Sequence, residues 1–96
     1  MYMRITTGRF DASRANEIEQ MVAQAVGTAA RALPGFKSYS SGLDRQAGRF
    51  AAISTWDTED QARGFRDKLS TDVMQQLHAA GVQLDEAQIY EAVGSV

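Results

Sequence analysis

The sequence predicts an α+β domain of ferredoxin-like βαββαβ build, in which helices cover one face of an antiparallel four-stranded sheet. Four segments have the alternation or the β-branched composition of strands, and the segments between them repeat apolar residues at helical spacing. Their order along the chain is strand, helix, strand, strand, helix, strand. The length of 96 residues suits a single domain, so we expect residues 1–96 to form one folding unit.

The first strand and the first helix are predicted over the N-terminal third of the chain. Tyr2–Phe10 is rich in Ile, Thr and aromatic residues, as strands are. A helix follows and runs to about Leu33, with Asp11 or Ser13 able to cap its first turn. Pro34-Gly35 ends this helix, because proline cannot continue the hydrogen-bond ladder. Apolar residues at three- and four-residue steps give the helix one stripe, formed by Ile18, Met21, Val22, Ala25, Ala29 and Ala32.

The next two strands are predicted to form a hairpin. Phe36–Leu43 and Arg49–Trp56 are the strands, and the polar segment 44–48, with its glycine at the end, is the loop between them. Thr58 and Gln61 have the spacing of a capping box, which predicts that the second helix begins there.

The C-terminal part of the chain is predicted to be helical and then extended. The second helix carries the apolar residues Ala62, Phe65 and Leu69. A further helical stretch begins at Ser70 or Thr71 and ends at Gly81. Ala87–Val93 is the last predicted strand.

The predicted sheet has apolar residues on both faces. In the third strand Phe50, Ala52, Ser54 and Trp56 alternate with Ala51, Ile53 and Thr55, and neither set is charged. Helices that connect such strands cover one face only. A second copy of the chain is the simplest cover for the other face, so we expect a homodimer. The alternative is a monomer with a mildly apolar open face.

Charge and composition exclude several classes of function. The formal net charge is −2, from 10 basic and 12 acidic residues, and the basic residues are scattered, so a nucleic-acid-binding groove is not expected. The chain has no cysteine and one histidine, His78, which excludes a multi-histidine metal site within one chain. No apolar run approaches the roughly 20 residues of a membrane span, and no glycine-rich phosphate loop is present. We therefore expect a cytoplasmic protein without metal, nucleotide cofactor or membrane partner.

Several segments resemble the antibiotic biosynthesis monooxygenase family, and nearly the whole chain follows the same element order. The most telling are the turn Leu33-Pro34-Gly35-Phe36 and the strand that ends at Trp56 before an acidic, capped helix start. The opening segment 1–7 and the last-strand segment Ile89-Tyr90-Glu91 are also similar to the family. Among its members, the chain looks closest to those without an established activity.

The resemblance implies a dimeric α+β barrel, in which two four-stranded sheets close together and each subunit has a cavity between sheet and helices. Some members of that family oxidise aromatic polyketides with molecular oxygen and neither metal nor flavin, whereas others oxidise quinols or degrade haem. The haem-degrading members have a haem-binding histidine at the place of His78. Their accompanying asparagine and tryptophan are replaced here by Thr6 and Lys68, so no haem cofactor is expected.

Three residues are candidates for catalysis within such a cavity. Arg4 could stabilise a developing enolate or phenolate, or else form a salt bridge at the rim. Trp56 could form an aromatic wall and orient a substrate oxygen, or simply pack in the core. Tyr39 could orient a substrate through its hydroxyl group, or bury its ring and leave its oxygen in water.

Four further residues are candidates for substrate binding. Thr6 shares a face of the first strand with Arg4, and Phe65 lies on the second helix. Met74 and His78 lie on the helical stretch that follows, where a surface position for the histidine is the alternative.

Three functions are consistent with these observations. One is a cofactor-independent monooxygenase for a small aromatic or quinone-type molecule, in which the substrate itself supplies a carbanion to oxygen. Another is a dimer that carries or senses a small hydrophobic ligand without turnover. The third is haem binding or degradation through His78.

Overall fold

The computed structural model describes residues 1–94 and contains five strands and three helices. The strands are β1 (Tyr2–Arg9), β2 (Phe36–Asp44), β3 (Arg49–Trp56), β4 (Gln83–Leu84) and β5 (Gln88–Glu91). The helices are α1 (15–31), α2 (Glu59–Lys68) and α3 (Thr71–Ala79), and a 3₁₀ turn at Ala12–Arg14 leads into α1. No helix within residues 1–94 is long and apolar enough to cross a membrane.

The sheet confirms the predicted ferredoxin-like arrangement, with one difference at its edge. The strand order is β2-β3-β1, and both β4 and β5 pair with the free edge of β1; every pairing is antiparallel. β4 lies opposite Gly8 and Arg9, while β5 lies opposite residues 2–5. Between them the Asp85 amide donates to the Thr7 carbonyl at 2.9 Å. The fourth strand position is therefore filled by two short strands, which makes five strands instead of the predicted four.

Helix α1 differs from a regular α-helix in its middle. Its outer segments Ala15–Gln20 and Gly27–Arg31 are α-helical, but Met21–Val26 is π-helical. Because i→i+5 bonding widens each turn, the side chains that face the sheet recur at four-residue steps through this region. Four buried positions along the helix follow this spacing, namely Ile18, Val22, Val26 and Ala30. The predicted stripe is thus right at Ile18 and Val22, whereas its last member, Ala32, is exposed.

The helix ends confirm the predicted capping residues. The Asp11 carboxylate accepts a hydrogen bond from the Ser13 amide at 3.0 Å. Thr58 and Gln61 form the predicted capping box, with both hydrogen bonds at 3.2 Å. At the end of α3, Gly81 has φ 81°, and the amides of Gly81 and Val82 donate to the carbonyls of His78 and Leu77 at 3.0 Å each. This pair of bonds is a Schellman motif, for which the left-handed conformation of glycine is well suited.

The two faces of the sheet have different surroundings. The helices pack on the inner face, where the core includes Phe50, Phe65 and Trp56, and the Trp56 side chain is only 1% exposed. The outer face carries two apolar cross-strand pairs, Ile5 with Ile53 and Met3 with Tyr90. Of these, Ile53 is 38% exposed and Tyr90 is 53% exposed. The expected division between one covered face and one open apolar face is therefore present in the single chain.

Candidate functional site

A cavity lies between the inner face of the sheet and the three helices. The strands contribute Arg4, Thr6, Tyr39, Phe50, Ala52 and Ser54 to its lining. The helices contribute Val22, Val26, Phe65, Arg66, Leu69 and Leu77, and Leu84 and Asp85 complete the rim. Its volume is about 50 Å³. Since each water needs about 10–15 Å³ by this measure, the cavity holds a few waters. A ring-sized ligand therefore requires side chains at the mouth, such as exposed Arg66, to move outward.

The register of the sheet brings the polar lining residues together. On β1 and β3, Arg4 lies directly opposite Ser54, and Thr6 lies opposite Ala52. On the other side of β3, Tyr39 of β2 also lies opposite Ser54. Arg4, Ser54 and Tyr39 therefore form one row across the floor of the cavity, because opposite residues in a ladder share a face.

Arg4 is a buried charge that is held by backbone oxygens. Its side chain reaches across to α2, where Nη1 donates to the carbonyls of Ala62 at 2.9 Å and Arg63 at 3.2 Å. The guanidinium carbon lies 6.0 Å from the centroid of the Phe65 ring. The residue is 8% exposed, yet none of the ion pairs among residues 1–94 includes it. Nη2 and Nε make no hydrogen bond to the described residues, and neither is fully enclosed, so both can still donate to a ligand.

The surroundings of Arg4 disfavour its positive charge. Burial lowers the pKa of Arg4, the neighbouring charge of Arg66 lowers it further, and Asp67 acts in the opposite direction. Arginine nevertheless stays protonated at neutral pH. The cavity thus contains a desolvated cation whose energy an anionic group would lower.

Tyr39 is held in the cavity wall by helix α1. Its hydroxyl donates to the Val22 carbonyl at 2.6 Å, within the π-helical segment. The absence of a side chain at Gly27 lets the ring lie against the helix, since an added Cβ there would be 3.3 Å from Tyr39 Cδ1. Burial raises the pKa of Tyr39 to about 12, against a smaller opposing effect of the Ser41 hydroxyl. At neutral pH the Tyr39 phenol is therefore protonated and donates a hydrogen bond to the Val22 carbonyl. It cannot act as a base.

Trp56 lies behind the cavity and not in its wall. Its indole packs edge-on to Phe36, with ring centroids 5.8 Å apart, and at a tilt to Phe65 at 5.1 Å. Nε1 donates to the Ser54 hydroxyl at 2.9 Å, so this polar atom is satisfied inside the protein. The core-packing alternative for Trp56 accounts for these contacts, and Ser54 is the residue through which Trp56 reaches the cavity.

The seven predicted site residues divide into two groups. Arg4, Thr6, Tyr39 and Phe65 all line the cavity. Trp56, Met74 and His78 do not, and Met74 packs against the core instead. The His78 side chain is exposed on α3, one position after the buried Leu77. It therefore offers no ligand atom to this cavity.

Three polar lining residues, Ser54, Arg66 and Asp85, were not predicted from the sequence. Ser54 is 3% exposed and was assigned only to a face of its strand. Arg66 and Asp85 are exposed residues at the rim, in a helix turn and in the β4–β5 connection. The one sequence signal for Ser54 was its position between Ala52 and Trp56, where a small polar residue interrupts an otherwise apolar face. Arg66 had no such signal, because basic residues near a helix end are explained by the helix dipole.

The lining as a whole is apolar with a few hydrogen-bond donors. The guanidinium groups of Arg4 and Arg66 and the hydroxyls of Thr6 and Ser54 are its donors. Once the side chains at its mouth move outward, such a site can hold a flat apolar molecule and direct a negatively polarised oxygen towards Arg4, where the low dielectric strengthens the attraction.

Comparisons with known proteins identify the fold. No family model and no curated protein matches the sequence. A provisionally named antibiotic biosynthesis monooxygenase from Deinococcus radiodurans is 24% identical, with a TM-score of 0.73 over 100% of this chain and 96% of that chain. SnoaB, a cofactor-independent oxygenase from Streptomyces nogalater, is 19% identical, with a TM-score of 0.70 over 99% and 95% of the two chains.

A third similar structure contains a ligand. It is a monooxygenase from the gene ActVA-Orf6 of Streptomyces coelicolor in complex with nanaomycin D. It is 18% identical, with a TM-score of 0.73 over 99% of this chain and 89% of that chain. These similarities extend over essentially the whole chain, as the resemblance in the sequence implied. The chain therefore has the fold of the antibiotic biosynthesis monooxygenases.

Proposed function

We propose that this protein is a cofactor-independent monooxygenase that oxidises a small aromatic or quinone-type molecule in the cavity beneath helices α1 and α2. The observation that carries the proposal is the Arg4 guanidinium, buried in an apolar cavity with Nε and Nη2 unused. Two proteins with the same fold, SnoaB and the ActVA-Orf6 product, are an oxygenase and a monooxygenase. Arg4 is the residue expected to act on the substrate.

The proposed reaction uses dioxygen as its oxidant, and the substrate itself supplies the electrons. A substrate with an acidic CH₂ between conjugated rings ionises, and its carbanion gives an electron pair to dioxygen, so that a C–O bond forms. The first proton returns to the peroxide and gives a hydroperoxide. Cleavage of its O–O bond releases hydroxide, which takes the remaining C–H proton, so that the products are a carbonyl and one water. The protein contributes an apolar site, orientation and a cation beside the substrate oxygen that carries the negative charge.

We further propose that the active form is a homodimer that pairs through the open sheet face. The support is the cluster of Met3, Ile5, Ile53 and Tyr90 on that face. Apolar groups of this kind favour association with a matching surface, and a two-fold contact makes the same patch its own partner.

Oxygen uptake tests the enzymatic proposal. Uptake is measured with anthrone-like and quinol compounds for the unaltered chain, for Arg4→Met and for Arg9→Met, an exposed residue on the same strand. Loss of a charge that stabilises an oxyanion typically lowers kcat about 100- to 1000-fold, so we expect that loss for Arg4→Met alone. Circular dichroism verifies that both variants are folded.

A non-catalytic ligand carrier is the second candidate. It is favoured by Tyr39, whose hydroxyl proton is bound to the Val22 carbonyl and whose raised pKa of about 12 makes it unsuitable as a base. Binding of the compounds without oxygen uptake by any of them would support the carrier and contradict the monooxygenase.

A further inference from the structure

The cavity has no side chain placed to remove a proton from a substrate at its floor. Its titratable groups among the described residues are Arg4, Tyr39, Arg66 and Asp85. Both arginines are cations, and the Tyr39 proton is bound to the Val22 carbonyl. The Asp85 carboxylate is therefore the one group among these four that could accept a proton from a substrate.

Asp85 is held away from the floor of the cavity. Its Oδ2 accepts a hydrogen bond from the Thr7 hydroxyl at 2.8 Å, and both residues are exposed. Thr7 alternates with Thr6 on β1 and so points to the other side of the sheet from Arg4. The Asp85 carboxylate is thus fixed at the sheet edge, towards the outer face and not beside Arg4.

The remaining polar groups of the lining favour binding of an anionic ligand. Neither Arg4 nor Arg66 belongs to an ion pair among residues 1–94, although Arg66 is close enough to disfavour the charge on Arg4. An anion beside Arg4 would relieve that repulsion and would accept hydrogen bonds from Nε and Nη2. The Ser54 hydroxyl, directly opposite Arg4 in the sheet, donates to no described residue and is a further donor.

We infer that the ligand enters this cavity already ionised, as a flat enolate or phenolate, and that Arg4 and Arg66 select it over the neutral compound. The inference rests on the proposed function, for which it names the substrate class. It also explains how oxygenation can begin at a site without a placed base, since a compound that is ionised in water needs no initial proton abstraction at the site.

Binding of two quinones of similar size tests the inference directly. The 2-hydroxy-1,4-naphthoquinone is an anion at neutral pH, whereas 2-methyl-1,4-naphthoquinone is neutral. Their dissociation constants are measured by calorimetry with the unaltered chain. Hydrogen bonds to charged groups contribute about 1.5–3 kcal/mol, so the anion should bind at least about tenfold more tightly. Equal affinities would overturn the inference.

Three variants assign the preference to named residues. Arg66→Gln and Arg4→Met should each reduce the preference for the anion severalfold. Arg63→Gln should leave it unchanged, because that arginine lies on the same helix but pairs with Glu59 at 3.1 Å. Arg66 is exposed, so its variant is expected to fold even if Arg4→Met does not. A preference that survives in Arg66→Gln and in any folded Arg4→Met would contradict the inference.

Two further measurements separate the possible explanations. Tighter binding of 2-naphthoate than of the hydroxyquinone would overturn the assignment to an enolate or phenolate and indicate a carboxylate ligand. Binding is measured without turnover, so absence of oxygen uptake affects only the proposed function. Conversely, oxygenation of neutral quinols by a protein with no preference for the anion would leave the proposed function intact and remove this inference.

Discussion

The two faces of strand β3 place alternate residues in opposite environments. Trp56 and Ser54 face inward, where they are 1% and 3% exposed and hydrogen-bonded to each other. Ile53, the residue directly before Ser54 in the strand, faces outward and is 38% exposed. The inner face is complete within one chain, whereas the outer face has an apolar surface that a single chain leaves open. The inner residues therefore form the core and line the cavity, whereas the outer residues are those of the proposed dimer contact.

Truncation of one residue on each face should give the largest difference in the free energy of unfolding. Trp56→Ala removes a fully buried aromatic side chain with two aromatic neighbours, so it should lower the free energy of unfolding by about 3–5 kcal/mol. Ile53→Ala should cost less than about 1 kcal/mol in dilute monomer, because its side chain is already partly in water. Urea unfolding at low protein concentration measures both values. Similar costs for the two variants would show that the outer face is as well packed as the core.

A charged substitution on the outer face should weaken the proposed dimer without unfolding the chain. In the proposed dimer, Ile53→Glu would bury an unpaired carboxylate, so we expect the dissociation constant to rise at least about 100-fold. Sedimentation at micromolar concentration should show twice 10.5 kDa for the unaltered chain and 10.5 kDa for the variant.

Gln76→Glu supplies the matched control for that experiment. Gln76 is exposed on α3, a helix on the covered side of the sheet, so the same change of charge there should leave the dimer intact. Sedimentation of the unaltered chain as a monomer at these concentrations would contradict the proposed dimer.

The sequence predicted the parts of the fold that depend on local patterns. The alternation in β3, the Thr58–Gln61 capping box and the turn at Gly81 all follow from residues close together in the chain, and the structure contains each of them. The π-helical segment of α1 was not predictable, because its apolar residues fit three- and four-residue steps equally well. The division of the last strand into β4 and β5 depends on how β1 pairs, which is a long-range property.

The candidate site was predictable where it depends on strand faces and less so elsewhere. Arg4 and Thr6 were placed together because they alternate with outward residues on one strand, and both line the cavity. Trp56 was proposed as a cavity wall, but its position behind the wall depends on packing with Phe36 and Phe65. Arg66 was missed because only the tertiary structure brings its helix turn to the cavity mouth. The part of the site that local sequence patterns did not predict depends on contacts between separate helices and strands.

The smallest expected effect concerns Tyr39, whose hydroxyl joins the inner face to helix α1. Tyr39→Phe removes the bond to the Val22 carbonyl and should lower the free energy of unfolding by about 1 kcal/mol. The pKa of Tyr39 is raised from 10.0 to about 12 in the folded protein, so its unfolded form ionises first as pH increases. The stabilising contribution of this phenol is therefore complete below pH 10 and is lost progressively between about pH 10 and 12. Urea unfolding at pH 9 and pH 11.5 should show a smaller alkaline loss for Tyr39→Phe than for the unaltered chain. Tyr90→Phe, a change at an exposed tyrosine of the outer face, should preserve that loss, and an identical alkaline response in all three proteins would show that the Tyr39 hydroxyl is not buried as described.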